Sequence, residues 1–572
     1  MEFDCRIFGD KGFTKSGEDK LVFTGNNQYL GDSIVRGGVL EINGNNGPSK
    51  FQLHAGELTG YGRIADVQQT GGWLNNEGNL TITGNYSMQI AADQQQNAGF
   101  KARFGNLLTV TGTANLAGTL NLFDEVPLDQ PLITAQGSQT TVLRAQQGIQ
   151  REFDTYRSTN PLFELTQVSY RPELNTAGEV LRATDSLKTD VVITAKRKSA
   201  ETVAALAPEL EGREQVARNL DAVLAGLDQK QQLTTLEDAE KVFANRLFNN
   251  FAQTVRYNNA ESTVSTQALN QLFHQFDPSF YANTILNVAE ESSQQERQFA
   301  QRLATMQPKQ VWFSGDYQSY DMDYAGLNSE RRTHHQGAGI ATKLAGVTLA
   351  AQADLSQMDL ADRLNMGTQN RTESKGYALT LGAAQQFGSD LSVAAWLKGM
   401  HVNVDAQRSH AQAQKVEFDG QMYATGLRLD YSYPLNQKMQ IQPYLDASFQ
   451  HYAHADQTKH DAVNSLDDLV MQRWNLGAGV QANYQFNPAW QLQGSLYYSQ
   501  PIQEKVYLDT HYVGTTEQLK FDAWHADKGQ YHAALGSKID LGQHSFINLN
   551  YEYSGRSHSD SHRVQLAVTT QF

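Results

Sequence analysis

The chain has 572 residues, enough for two or more domains, and carries 61 acidic against 46 basic residues for a formal charge of −15. That balance argues against nucleic acid as the main partner. Cys5 is the single cysteine, so no internal disulfide can form, and no run of about 18 apolar residues exists to make a transmembrane helix.

The opening residues, Met1-Glu-Phe-Asp-Cys-Arg-Ile-Phe8, have no apolar core of a secretory signal. Residues 1–125 are rich in Gly, Asn and Thr and poor in charge. Short β-prone bursts recur at Leu21–Thr24, Val39–Ile42, Leu80–Thr83, Leu107–Thr111 and Thr119–Leu122. Gly25-Asn26-Asn27, Gly44-Asn45-Asn46 and Gly84-Asn85 separate them. Short strands with frequent glycine turns and little helix suggest a parallel β-solenoid; a single sandwich is the alternative.

Residues 126–199 continue in β-like pieces and end at Asp190–Ala195, followed by the basic Lys196-Arg-Lys198, an exposed strand end. Residues 200–306 change character, losing Gly and gaining Ala, Leu, Gln and Glu. Val216, Leu220, Val223, Leu224 and Leu227 repeat at helical spacing, and Val242, Leu247, Phe251 and Val255 do so more loosely. A last helix is expected over about 278–306, with Asp277 as N-cap and Pro278 at its first position. Its apolar Ile285, Val288 and Ala289 give way to Glu290, Glu291, Gln294, Gln295, Glu296, Arg297 and Arg302. So polar a helix fits a surface or a hydrated pore better than a dry core.

From Gln310 onward the sequence alternates in period two between turns. Twelve strands are expected, near 309–320, 333–344, 347–358, 373–387, 390–405, 416–433, 439–454, 469–486, 489–500, 529–541, 543–555 and 561–572. One face is apolar with aromatics near its ends, as in Tyr423, Leu427, Leu429 and Tyr431; the other is Gly, Asn, Gln and charge. That is a barrel oily outside and wet inside, whereas a soluble barrel fills its interior with apolar side chains. The links alternate: short at 345–346, 388–389, 434–438, 487–488 and 542, longer at 321–332, 359–372, 406–415, 455–468 and 501–528. Outer-membrane barrels have short periplasmic turns and longer outer loops, so the first strand runs outward. The last strand puts Val564, Leu566, Val568, Thr570 and the terminal Phe572 on one face.

Gly12–Gly17, Leu21–Tyr29 and Gly31–Asn43 together resemble the passenger-associated repeat of bacterial autotransporters, the type V secretion proteins of Gram-negative bacteria. Leu58–Ile64 and Leu107–Leu122 resemble the same region. Nearly the whole chain follows that family's order. The resemblance implies a mainly β protein: a parallel β-solenoid passenger remnant at 1–199 with the repeat at about 12–43, a helical linker at 200–306 ending in a pore helix, and a 12-stranded antiparallel transmembrane barrel at 307–572 with that helix in its lumen. It implies an outer-membrane translocator that exports or displays its own passenger at the cell surface. Its partners would be outer-membrane lipid, periplasmic chaperones and the barrel-assembly machinery, which reads Val564, Leu566, Val568, Thr570 and Phe572; the barrel would be monomeric. Passengers of such proteins often carry a protease or esterase domain, and others are adhesins. With no signal peptide and no such domain, the N-terminus is expected to be incomplete, with no catalysis, cofactor or metal in the residues present.

Two patterns compete with that reading. Gly31-Asp-Ser-Ile34 resembles the nucleophile block of GDSL esterases, but no histidine lies between His54 and His274 to serve as base. Asp522-Ala-Trp-His525 has a suitable spacing but falls in a barrel loop. Thirteen of the fifteen histidines lie in 334–562, where His451/His454 and His558/His562 invite a metal reading; no carboxylate or Cys cluster completes either pair.

Overall fold

The structure, a computed structural model, describes all residues except 124–129, 173–186, 207–212, 259–260, 306–308, 325–326, 365–368, 409–414, 456–458, 462, 520, 522–528 and 543. The chain divides into two compact units, one of Met1–Leu210 with Ala217–Leu272, the other of Glu211–Val216 with Phe273–Phe572.

The first unit is a parallel solenoid. Apolar residues at equivalent positions of successive rungs stack into columns. One runs Leu40, Leu58, Leu74, Phe100, Leu120, each opposite the next in register. Two more run Phe51, Val67, Tyr86, Ala114 and Ile64, Ile82, Val110, Ala145. All are fully buried, and each large side chain so placed contributes about 1.5–3 kcal/mol. Within 12–43, Phe13–Lys15 and Lys20–Phe23 both lie parallel to Ser33–Ile42. The Gly-Asn turns are the corners. Asn26 Oδ1 accepts from Asn45 N (3.2 Å), Asp66 Oδ1 from Asn85 N (2.8 Å), and Asn85 Oδ1 from Thr113 N (2.9 Å). Each corner side chain thus satisfies a backbone donor of the next rung. Gly44 is required there because an added Cβ would lie 2.0 Å from the Gly25 carbonyl oxygen.

Ile149–Arg151 and Thr155–Ser158 add the last parallel strands of one sheet, while in the other Ser138–Ala145 pairs antiparallel with Asp190–Arg197, itself antiparallel to Phe163–Arg171. Helices α1 (Ala200–Ala204), α2 (Glu214–Leu233) and α3 (Asp238–Ala252) follow. Arg197 donates twice to Asp228 (2.9 and 2.7 Å), joining that sheet to α2, and Phe163 meets Phe248 of α3 edge-on at 4.9 Å. The linker is not helical throughout. Val255–Asn258 and Glu261–Val264 form an antiparallel hairpin, so Val255 belongs to a strand, and Val242 is exposed. β-branched and aromatic residues at 255 and 257 favour that strand once α3 has ended.

After α4 (Thr266–Gln275), whose last residues belong to the second unit, α5 (Ser279–Thr305) precedes twelve antiparallel strands. These are β1 (Gln310–Tyr324), β2 (Leu327–Leu344), β3 (Val347–Leu364), β4 (Gln369–Phe387), β5 (Leu391–Gln407), β6 (Lys415–Tyr431), β7 (Met439–His454), β8 (Asn464–Asn487), β9 (Trp490–Tyr512), β10 (Gln530–Asp540), β11 (Ser545–Arg556) and β12 (Ser559–Gln571). Each pairs with its neighbours, and β12 closes the ring on β1, from Gln310 opposite Gln571 to Met322 opposite Ser559. Leu355, Leu379, Leu397, Leu427, Leu535 and Leu566 stand exposed on the outer face, while Asp354, Lys398, Arg428 and Arg563 are buried inside. An apolar exterior around a charged interior suits a bilayer, not water.

The links differ from expectation. Several stretches read as long loops are partly strand: β1 and β2 cover 321–324 and 327–332, β3 reaches Leu364, β4 starts at Gln369, and β8 and β9 pair from Asn464 opposite Tyr512. Beyond the lipid belt the outward positions turn polar while inward ones such as Val402, Phe418 and Met471 pack against α5, so the lipid-facing pattern ends while the hydrogen-bonded ladder continues. The opposite end turns tightly, as at Ala345 and Gly346, both with positive φ (52° and 89°). Opposite Asn475, Pro501 marks a bulge in β9; exposed apolar positions shift there from even (Leu496, Tyr498) to odd (Tyr507).

Candidate functional site in the barrel lumen

Helix α5 runs the length of the lumen. It starts among the extended strand ends and finishes beside the tightly turned end. Asp277 Oδ1 accepts from the Ser279 backbone N–H (2.9 Å) and hydroxyl (2.6 Å), starting the helix. Three zones succeed one another along it.

The first zone is apolar. Phe280, Tyr281, Ile285, Leu286 and Val288 pack against wall residues that include Val402, Phe418, Tyr452, Leu469 and Met471. This departs from the expectation of a helix in a hydrated pore, because its first turns sit in a dry core.

The second zone is an ionic belt, and it holds the polar residues singled out from sequence. Glu290 accepts from Arg556 (2.8 Å) and lies 3.8 Å from Arg331. Arg563 donates to Gln294 (2.7 Å) and Asp316 (2.8 Å), and lies 3.4 Å from Glu291. Lys398 donates to Gln295 (2.7 Å), Gln450 to Glu296 (2.8 Å), and Arg297 to Glu552 (2.7 Å). Arg302 reaches Gln352 at 3.4 Å. All seven residues therefore meet the wall. Their wall partners (Arg331, Lys398, Gln450, Glu552, Arg556 and Arg563) were not singled out from sequence. A charged residue at an inward register position of an otherwise Gly, Asn and Gln face is the signal that marks them.

The third zone is a collar of small residues. Phe299, Ala300 and Leu303 rest among Ala341, Ala350, Ala384 and Ala394, between Trp312 and Trp396. A Cβ at Gly382 would lie 2.6 Å from both Leu303 and Phe299, so the helix leans on this side of the wall. On the other side, between α5 and Arg428, Asp446, Arg473 and Tyr497, a cavity of about 40 Å³ remains, room for one or two water molecules. The lumen is occupied rather than open.

At the mouth the segment joining α4 to α5 is gripped from several strands. Arg408 donates to the carbonyls of His274 (2.6 Å) and Asp277 (2.8 Å), and Tyr512 to that of Phe276 (3.1 Å). The Asn370 amide lies 2.6 Å from His274 Nε2, and Arg213 pairs with Asp277 at 2.6 Å. Burial, reinforced by the Arg213 and Arg408 charges, pushes His274 down to about 3. Burial opposes the Asp277 charge, but Arg213 and the Ser279 donors hold its carboxyl below the usual range.

On β12, Val564, Leu566, Val568 and Phe572 are exposed on the outer face with Thr570 half-buried between them, and the Phe572 N–H donates to the Lys309 carbonyl (2.9 Å). Ser33 is buried, its hydroxyl 2.6 Å from Tyr29 and 2.8 Å from Ser49. The Asp522–His525 stretch lies outside the described residues. The His454 ring packs on Phe418 and bonds the Asp419 carbonyl, and His562 meets the Tyr551 hydroxyl at 2.7 Å. Among the described residues no group of three or more His, Cys, Asp and Glu side chains is placed to hold a metal.

A family model described as the autotransporter beta-domain matches residues 311–552. The chain is similar to the translocator domain of autotransporter NalP from Neisseria meningitidis, at 13% identity and a TM-score of 0.43, over 50% of this chain and 98% of that one. It is similar to the transport unit of the autotransporter AIDA-I from Escherichia coli (12%, TM-score 0.37, 47% and 91%) and to the beta domain of the Bordetella autotransporter Brka (11%, TM-score 0.34, 46% and 100%). No curated protein matches the chain significantly. The matched residues build the closed ring from β1 to most of β11, so the chain carries an autotransporter beta-domain and is an outer-membrane translocator for a passenger.

Proposed function

We propose that residues 1–199 are the passenger, 200–306 the linker and 307–572 the translocator, and that the chain displays its own solenoid at the cell surface. The observation that carries this is the direction of α5. Its N-terminal end lies among the extended, polar strand ends and its C-terminal end at the tight turns, so the chain preceding it leaves the barrel on the outer side. Export draws on folding: each solenoid rung stabilises the one before it, so rungs that fold outside oppose backsliding. The exposed face of β12, Val564 to Phe572, is the assembly signal read by the barrel-assembly machinery after periplasmic chaperones deliver the chain. A closed sheet leaves no free edge for a second copy to extend, which supports a monomeric barrel.

The test is protease shaving of intact cells that express the chain behind a Sec signal, with an epitope near Gly47. The expected outcome is loss of the epitope from intact cells and a protected, heat-modifiable barrel fragment. An epitope digested only after the outer membrane is opened would overturn the display reading.

A further inference from the structure

The outward face of β2–β6 carries a charged groove of about 480 Å³ at the outer strand ends. Arg332, Arg371 and Lys415 line it together with Glu330, Asp359, Glu373 and Asp405. Arg332 donates to Glu330 (2.9 Å), Lys415 lies 3.1 Å from Asp405, and Lys375 beside the groove lies 3.0 Å from Glu373. All four cations are exposed at the surface.

Two further observations bear on what it meets. Farther along the same strands, toward the tight turns, the outward positions are Leu355, Tyr377, Leu379, Leu397 and Tyr423, all exposed and apolar. The groove therefore sits just above the hydrocarbon belt, at headgroup level. Its cations are concentrated on one arc. On the other arc the exposed outward residues toward the outer end include Tyr507, Tyr531 and Tyr553 with Asp468, Lys505 and Asp509. A ring of aromatics suffices to mark a membrane interface; seven charges gathered in one groove do more than that.

We propose that this groove binds the phosphorylated headgroup of an outer-leaflet glycolipid together with its divalent counter-ions. The guanidinium and ammonium groups hydrogen-bond phosphate oxygens, and the interleaved carboxylates hold the divalent cations that neutralise neighbouring phosphates. Both charge signs are needed for that ligand, and both line the groove. A simple anion site would not place four carboxylates among its cations.

The experiment uses the full chain refolded in phosphatidylcholine vesicles with and without bacterial lipopolysaccharide. Glycolipid retained after detergent exchange is counted by native mass spectrometry. The wild type is expected to retain it and to lose it on chelation with EDTA. The triple variant Arg332→Ser, Arg371→Ser, Lys415→Ser is expected to retain about tenfold less, given the attraction of each basic side chain for an anionic surface. Equal retention by the triple variant, equal retention of a dephosphorylated glycolipid, or complete displacement by millimolar inorganic phosphate would each overturn the proposal. Should the triple variant give no heat-modifiable band, Arg371→Gln and Lys415→Gln singly replace it, with the same readings. Insertion into pure phosphatidylcholine reports on the barrel alone, so failure of the translocator reading and failure of this one are distinguishable.

Discussion

Arg563 shows how much a single inward position decides. It is buried on β12 and contacts Gln294 and Glu291 of α5 and Asp316 of β1. Truncating it leaves two buried carboxylates without their cation, a loss of about 3–5 kcal/mol. Arg563→Ala should therefore lower the heat-modification temperature of the folded band, and Arg563→Lys should recover only part of it, since an ammonium cannot span three acceptors. His274 gives a pH dependence of definite sign. Unfolded, it titrates near 6.5 (about the ordinary value); folded, it is pushed down to about 3. Between these values the unfolded segment binds the extra proton, so the mouth is fully stable above that range and loses stability as pH falls through it. The protection factor of amides at 274–281, exchange corrected for its intrinsic pH dependence, should fall between pH 7.5 and 5 in the wild type, and His274→Gln should flatten the response. At this scale the sequence was partly readable. The alternation in β12 put Arg563 on the inner face, but which helix residue it meets depends on strand stagger and helix rotation, which no local pattern encodes.

The elements were legible wherever one face meets lipid. Tyr423, Leu427, Leu429 and Tyr431 in β6 repeat with period two because lipid demands it. At Lys415–Asp419 of the same strand the alternation continues with its polarity inverted: Val416 and Phe418 face the apolar start of α5 while Lys415, Glu417 and Asp419 face outward. The expected helix, about 278–306, appears as Ser279–Thr305, but its environment was only half read. Glu290–Arg297 announced a polar lumen, whereas the dry packing of Phe280, Ile285 and Leu286 depends on Val402, Phe418 and Met471, wall residues supplied by distant strands. The solenoid corners were recognisable as turns, yet their side-chain ties between rungs were not. Asn85 both donates its N–H to Asp66 and accepts from Thr113. Asn85→Ala leaves the Thr113 N–H without that acceptor and should cost about 1–2 kcal/mol. Chemical denaturation followed by solenoid fluorescence should show a lower midpoint with unchanged slope; an unchanged midpoint would mean that water replaces the tie.

For the whole molecule, stability and assembly separate at the last residue. The β1–β12 ladder runs from Gln310 opposite Gln571, so Phe572 lies just beyond it, with only its N–H bonded to Lys309. Its ring is 66% exposed on the lipid side and packs little of the barrel. Deleting Phe572 should therefore barely change the refolding yield or heat-modification temperature in vesicles, where no machinery is involved. In cells the same deletion should markedly reduce the folded outer-membrane band and the surface epitope together, because recognition precedes closure of the seam. If refolding in vesicles falls as much as assembly in cells, Phe572 acts through the barrel's own stability and the recognition role is wrong. If neither falls, the signal lies in Val564, Leu566 and Val568 alone, which Leu566→Asn would then expose. The comparison works because closure is shared between β1 and β12 along their whole length, while the terminal aromatic belongs to neither ladder.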